Sequence, residues 1–248
     1  MRNPGLEQAT RVAVRTYASA VAIDARAGDS VPSPPPSGDA LGESDLPEPG
    51  LDGARAHPMD DIDTARAQEY ALLSVLLARA PDAALLSRLA DLRGDASPLG
   101  LAHAALAEAA SRASLERLER EYFDLFIGLG RGELLPYGSY YLSGFLHERP
   151  LARLRAYLGG LGIERAEGQP EPEDHAAILC EIMAGIISGR LPAPPSADRE
   201  LFEHHLAPWV GRFFADLERA EAADFYRHVG VLGRVLIDIE TQAFALPS

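Results

Sequence analysis

From Asp61 onward, hydrophobic positions recur at three- and four-residue steps, the spacing that gathers side chains along one side of a helix. Tyr70, Leu73 and Leu77, widened by Leu72 and Leu76, make the first such face, and Asp61, Asp63 and Thr64 suit the turn that opens it. Pro81-Asp82 stops that helix and begins a second, which runs to about Leu92. Ser97-Pro98 reads as an N-cap followed by proline at the first helical position, opening a third helix through Leu101 and Leu106 to about Ala110. In the fourth, Leu115, Leu118, Tyr122 and Leu125 share one side and Phe126 widens it. Gly128, Gly130 and Gly132 crowd its exit, where glycine ends helices because it enters the left-handed conformation without steric cost.

An aromatic turn follows, with Tyr137, Tyr140 and Tyr141 around Gly138 and Ser139, too polar at its tips to be core alone. It reads as one wall of a groove. Pro150 starts a helix carrying Leu151, Leu154, Tyr157, Leu158 and Leu161, which Gly159, Gly160 and Gly162 end. The run Glu171-Pro-Glu-Asp-His175 opens the next, in which Ile178, Ile182 and Ile186, with Leu179 and Met183, are spaced for burial. Leu201 to Leu217 reads as two helical pieces kinked at Pro208, and Phe225, Val229, Leu232, Leu236 and Ile239 form a seam in the last helix. No stretch alternates convincingly as a strand and no fixed-period repeat is visible. The expectation is a single all-α domain from about residue 61 to 248, with some eight to ten helices.

The first 60 residues differ from the rest. Between Val31 and Asp60 stand seven prolines and four glycines with scarcely an aliphatic side chain, a composition expected to be a disordered tail. Arg2, Arg11, Arg15 and Arg26 give its start a basic, amphipathic look, but Glu7, Asp24 and the lack of a cleavable apolar core argue against a targeting peptide. Met59 is an alternative start.

All 23 basic residues are arginine, and acidic residues leave a formal charge of -14. That balance repels nucleic-acid phosphates and favours basic partners. No apolar run approaches the ~18 residues a membrane span requires. One cysteine, Cys180, allows no intramolecular disulfide, so a reducing compartment is the default.

Candidate chemistry is sparse. Cys180 and His175 are five residues apart on a helix and diverge, so a buried inert thiol is the better reading than a nucleophile with its base. His204 and His205 are adjacent and also diverge; no histidine pair has metal-ligand spacing, and no cofactor is implied. Gly128-Leu-Gly130-Arg-Gly132 lacks the strand before and the helix after that a phosphate loop needs. Acidic side chains in the first turn of a helix explain Glu173 and Asp174 through the helix dipole, but not the histidine that follows, since a cation is unfavourable there.

Five pieces, in order, carry a resemblance: Tyr122-x-x-Leu-Phe126-x-Gly128, Pro136-Tyr-Gly-Ser-Tyr140, Glu171-Pro-Glu-Asp-His175, His205-Leu-Ala-Pro-Trp209 and Phe225-Tyr226. Together they resemble the TorD/DmsD family of molybdoenzyme-specific chaperones, over nearly everything after residue 65. The resemblance implies an all-helical, cytoplasmic protein that binds the twin-arginine leader of a molybdenum-containing oxidoreductase and delays export until the cofactor is inserted. It implies a peptide-binding surface of Tyr122, Leu125, Phe126, Tyr137, Ser139 and Tyr140 facing Glu171, Pro172, Asp174 and His175. Tyrosine stands at 122 where some relatives have tryptophan, the turn is Pro-Tyr rather than Pro-Trp, and the N-terminal tail has no counterpart in the family pattern. Two other readings stay open at this point: a helical hydrolase using the Glu171–His175 cluster, and a non-catalytic interaction protein whose apolar face is a dimer surface. The chaperone reading allows a monomer or a homodimer.

Overall fold

The computed structural model describes residues 61–166 and 168–246 together with the backbone of 12–14; the expected tail otherwise lies outside the described residues. Among those residues are ten α-helices: α1 (Asp61–Ala78), α2 (Ala83–Ala90), α3 (Pro98–Arg112), α4 (Leu115–Tyr122), α5 (Gly138–Ser143), α6 (Arg149–Gly160), α7 (Ala176–Ile187), α8 (Ala197–Leu201), α9 (Val210–Arg219) and α10 (Phe225–Ala245). The fold is all-α, as the periodicity indicates. Two three-residue strands depart from that reading: β1 (Val12–Val14) pairs in parallel with β2 (Ile163–Arg165). They are too short to show alternation, and only the pairing of distant segments makes them strands.

α7 is the axis of the domain. Every residue from Ala176 to Gly185 is buried, the condition of a helix apolar on nearly all sides. It packs most extensively on α1, while α10 packs on α9 and α3. Side chains close the helix ends as their sequences indicate. Oδ1 of Asp82 accepts the Leu85 N–H at 2.9 Å, and Oγ of Ser97 accepts that of Gly100 at 3.1 Å. The last turn of α1 is completed from afar, where the Leu76 and Leu77 carbonyls accept from the hydroxyls of Tyr226 (3.0 Å) and Tyr122 (3.2 Å).

Several expected positions shift. Leu115, at the first residue of α4, is 40% exposed rather than part of the apolar face. Ile239 is 41% exposed, and its neighbour Glu240 is buried instead. Arg66 explains the change: its guanidinium donates to both oxygens of Glu240 at 2.8 and 2.9 Å and to Asp198 and Asp63, while the Tyr70 hydroxyl donates to Glu240 at 3.2 Å. One residue along a helix is a rotation of about 100°, so drawing Glu240 inward turns Ile239 outward. The two expected helical pieces are separate at Pro208, with α8 passing into a π-helical turn at Phe202–Leu206 before α9 begins at Val210.

Candidate peptide-binding surface

The fourth helix does not run straight to its glycines. After Tyr122 it widens into a π-helical turn, Phe123–Ile127, closed by the Gly128 N–H donating to the Phe123 carbonyl at 2.7 Å. Widening frees carbonyls, and the returning chain uses them: the N–H groups of Glu133 and Leu134 donate to Asp124 and Leu125 at 3.0 and 2.8 Å. Gly132 makes that return possible, because a Cβ there would stand 2.5 Å from the Phe126 carbonyl carbon. Glu133 then accepts the Glu221 and Ala222 N–H groups, which ties the loop to the connection between α9 and α10.

Glu121 secures the same region from below. Its buried carboxylate accepts three backbone N–H groups at the start of α10, from Asp224 (2.8 Å), Phe225 (3.2 Å) and Tyr226 (2.6 Å). Burial raises its pKa, although the three donors act against the shift. The residues that sequence reasoning singled out begin one position later, and it missed this role because the donors lie more than 100 residues away.

Across from this wall, the turn at 136–139 is sewn to the start of α7. The Gly138 N–H donates to the Asp174 carbonyl at 2.9 Å, and the Ala176 N–H to the Pro136 carbonyl at 2.8 Å. Oδ2 of Asp174 accepts the Ser139 N–H at 2.7 Å, at the first turn of α5. Gly138 passes so close to Trp209 that a Cβ would lie 3.0 Å from its indole nitrogen.

The acidic run sits before α7 rather than within its first turn. α7 begins at Ala176, and His175 is its N-cap, with Nδ1 accepting the Ala177 N–H at 3.1 Å. That resolves the electrostatic objection: a ring accepting at Nδ1 and buried is neutral, and burial lowers its pKa to about 4. Glu171 accepts the Tyr137 hydroxyl at 2.6 Å, and Glu173 pairs with Arg155 at 2.9 Å. The imidazole is thus committed to the fold and sealed from solvent, which leaves it unavailable for acid–base chemistry. Cys180 is buried, its thiol pushed up to about 12 by desolvation.

The two walls meet. Phe126 packs between Tyr122 and Tyr226, at ring-centroid distances of 5.1 and 5.4 Å. Tyr122 lies within electrostatic reach of Glu171, which adds to desolvation in raising its pKa to about 12. Tyr137 joins Glu171 to His175, whose ring stands edge-on at 5.0 Å. Tyr140 carries the strip onto α5, with the Arg131 guanidinium 6.0 Å from its ring.

Among the ten residues expected on this surface, Tyr122, Phe126, Tyr137, Tyr140 and Glu171 are half-buried with part of the side chain accessible. Leu125, Ser139, Pro172, Asp174 and His175 are buried, and they hold the walls rather than face solvent. Asp174 keeps one unused acceptor: Oδ1 has no hydrogen-bond partner, and the residue borders a small pocket with Arg153, His204, His205 and Trp209. Sequence reasoning also passed over Phe123, Ile127 and Leu129, which are exposed on and just beyond the π-helical turn, Leu129 at 98%. Their signal was the excess of apolar residues over what one helix face can bury.

A family model described as nitrate reductase delta subunit matches residues 92–215, half of the chain and all of both walls. The chain belongs to that family. Within this TorD-like group, the chaperone protein TorD of Vibrio cholerae serotype O1 is 29% identical over 118 residues, 44% of this chain and 54% of the relative. TorD of Shewanella loihica is 26% identical over 202 residues, covering 72% and 92%. The nitrate reductase delta family member described here therefore spans about half the length of the Vibrio relative. A solved structure of a candidate redox enzyme maturation protein from Archaeoglobus fulgidus aligns with a TM-score of 0.45 and 19% identity, covering 70% of this chain and 93% of that one. These relatives are named for chaperoning and maturation, not for catalysis.

Proposed function

We propose that the protein is a cytoplasmic chaperone of molybdoenzyme maturation, which binds the twin-arginine leader of a molybdenum-cofactor oxidoreductase precursor and delays export until the cofactor is inserted. The observation that carries this reading is that accessible Tyr122, packed on Phe126, lies within electrostatic reach of Glu171, which accepts the hydroxyl of accessible Tyr137 beside the acidic turn at 171–174. A leader of this kind has a basic segment followed by an apolar one that can fold as a helix, and it fits an apolar trough with carboxylates at one end. Phe123 and Ile127 extend the trough. Glu171 supplies negative charge at the accessible edge, and Asp174, buried behind it, holds the turn through the Ser139 N–H.

Ordering a flexible leader costs about 2–5 kcal/mol, so a net affinity near micromolar, about -8 kcal/mol, is expected. Weak binding suits a guest that must later be surrendered. Isothermal titration with a twin-arginine leader peptide tests the reading. Saturable binding that weakens at least tenfold when both arginines become alanine supports it, and equal affinity for the two peptides counts against it. Parallel titration of Asp174→Asn separates charge from folding, because the amide keeps an oxygen for the Ser139 N–H.

A further inference from the structure

The pairing of β1 with β2 lies on another part of the surface, where α6, β2 and the start of α7 enclose a cleft. Its floor is apolar, formed by Leu158, Ile163 and Ile178, and its sides carry three carboxylates, Glu164, Glu173 (paired with Arg155) and Glu181, against one guanidinium, Arg165. A solitary strand in a helical domain presents backbone N–H and C=O groups at its edge, a template for an added strand. Here the added strand belongs to the same chain. Val12, Ala13 and Val14 align in parallel with Ile163, Glu164 and Arg165. In sequence, Arg11 and Arg15 flank that strand, the charge sign that a cleft with net negative sides attracts.

We infer that the edge of β2 and its cleft form a second peptide site, distinct from the aromatic strip, whose occupant is the chain's own N-terminal strand held by β-addition. The inference stands on the backbone pairing and the charge of the cleft, independently of leader binding at the strip. Held in cis, the strand competes at high effective concentration with any other extended basic segment.

Hydrogen exchange on the full-length protein tests this. Successive residues of a strand direct their N–H groups to opposite sides, so Val12→Pro/Ala13→Pro removes whichever amide faces β2. Amides of residues 163–165 should exchange at least tenfold faster in that variant than in the parent, and Arg11→Glu/Arg15→Glu should act in the same direction. A synthetic peptide of residues 8–17 should bind the proline variant at least tenfold more tightly than the parent, whose site is filled. Unchanged exchange at 163–165 overturns the site. Equal peptide binding to parent and variant overturns the occupant, as does protection that rises with protein concentration, which would assign the strand to a second copy.

Discussion

Nδ1 of His175 accepts the Ala177 N–H, a role open only to a ring unprotonated at that nitrogen, and burial lowers the imidazole's pKa to about 4 from an unfolded value near 6.5. A depressed folded pKa means that the contribution to stability is complete above pH 6.5 and is lost as pH falls through the window down to about 4. The difference of about 2.5 units corresponds to roughly 3 kcal/mol. His103 acts in the opposite sense: the hydrogen bond that its ring donates to Glu69 raises its pKa, so its contribution is complete below pH 6.5 and is lost as pH rises through the raised value. Urea unfolding of the parent and of His175→Asn, which preserves an N-cap acceptor, should therefore show a stability difference that narrows between pH 6.5 and 4. A constant difference would mean that the ring takes up its proton at the same pH folded and unfolded. At the same scale, Asp174→Ala should cost about 1–2 kcal/mol by freeing the Ser139 N–H, beyond any effect on guest binding.

Element boundaries show what periodicity conveys and what it does not. The caps at Asp82 and Ser97 and the helix opened by Pro150 were legible because each signal is local, contained within four residues. The π-helical turn at Phe123–Ile127 was not, since the spacing of Leu118, Tyr122 and Leu125 fits an α-helix equally well and the turn is held by Glu133 and Leu134 returning from outside it. His175 as a cap was also obscure, because histidine rarely serves that role and only burial reveals which protonation state is meant. The roles of Glu121 and Glu240 depend on partners 103 and 174 residues away, which no window along the chain contains. Two substitutions test these long-range ties by chemical denaturation. Glu121→Ala leaves three N–H groups at the start of α10 without their acceptor and should cost about 2–4 kcal/mol. Gly132→Ala drives a methyl group into the backbone of Leu125 and Phe126 and should cost on the order of 2 kcal/mol or more, while Gly159→Ala, in α6 where a Cβ meets nothing, should not.

At the scale of the whole molecule, one helix surface and one acidic turn, about 50 residues apart in sequence, converge because α7 runs through the centre and its N-terminus is stitched to the turn at 136–139. Of the residues that the motifs single out, Leu125, Asp174 and His175 are buried, and Phe126, Tyr122, Tyr137 and Tyr140 stay partly accessible, a division that only the packing reveals. With a formal charge of -14 behind it, attraction of a basic guest should weaken as salt shortens the Debye length from about 10 Å at 0.1 M to about 3 Å at 1 M, a trend titration at several ionic strengths would read. The central claim is that a single guest touches both walls. Photo-crosslinking tests it most directly, with benzoylphenylalanine placed singly at positions 126, 137 and, on a remote exposed site, 62. The account predicts that one twin-arginine leader peptide is captured from positions 126 and 137 and not from 62; capture from only one wall, or equally from all three, would contradict it.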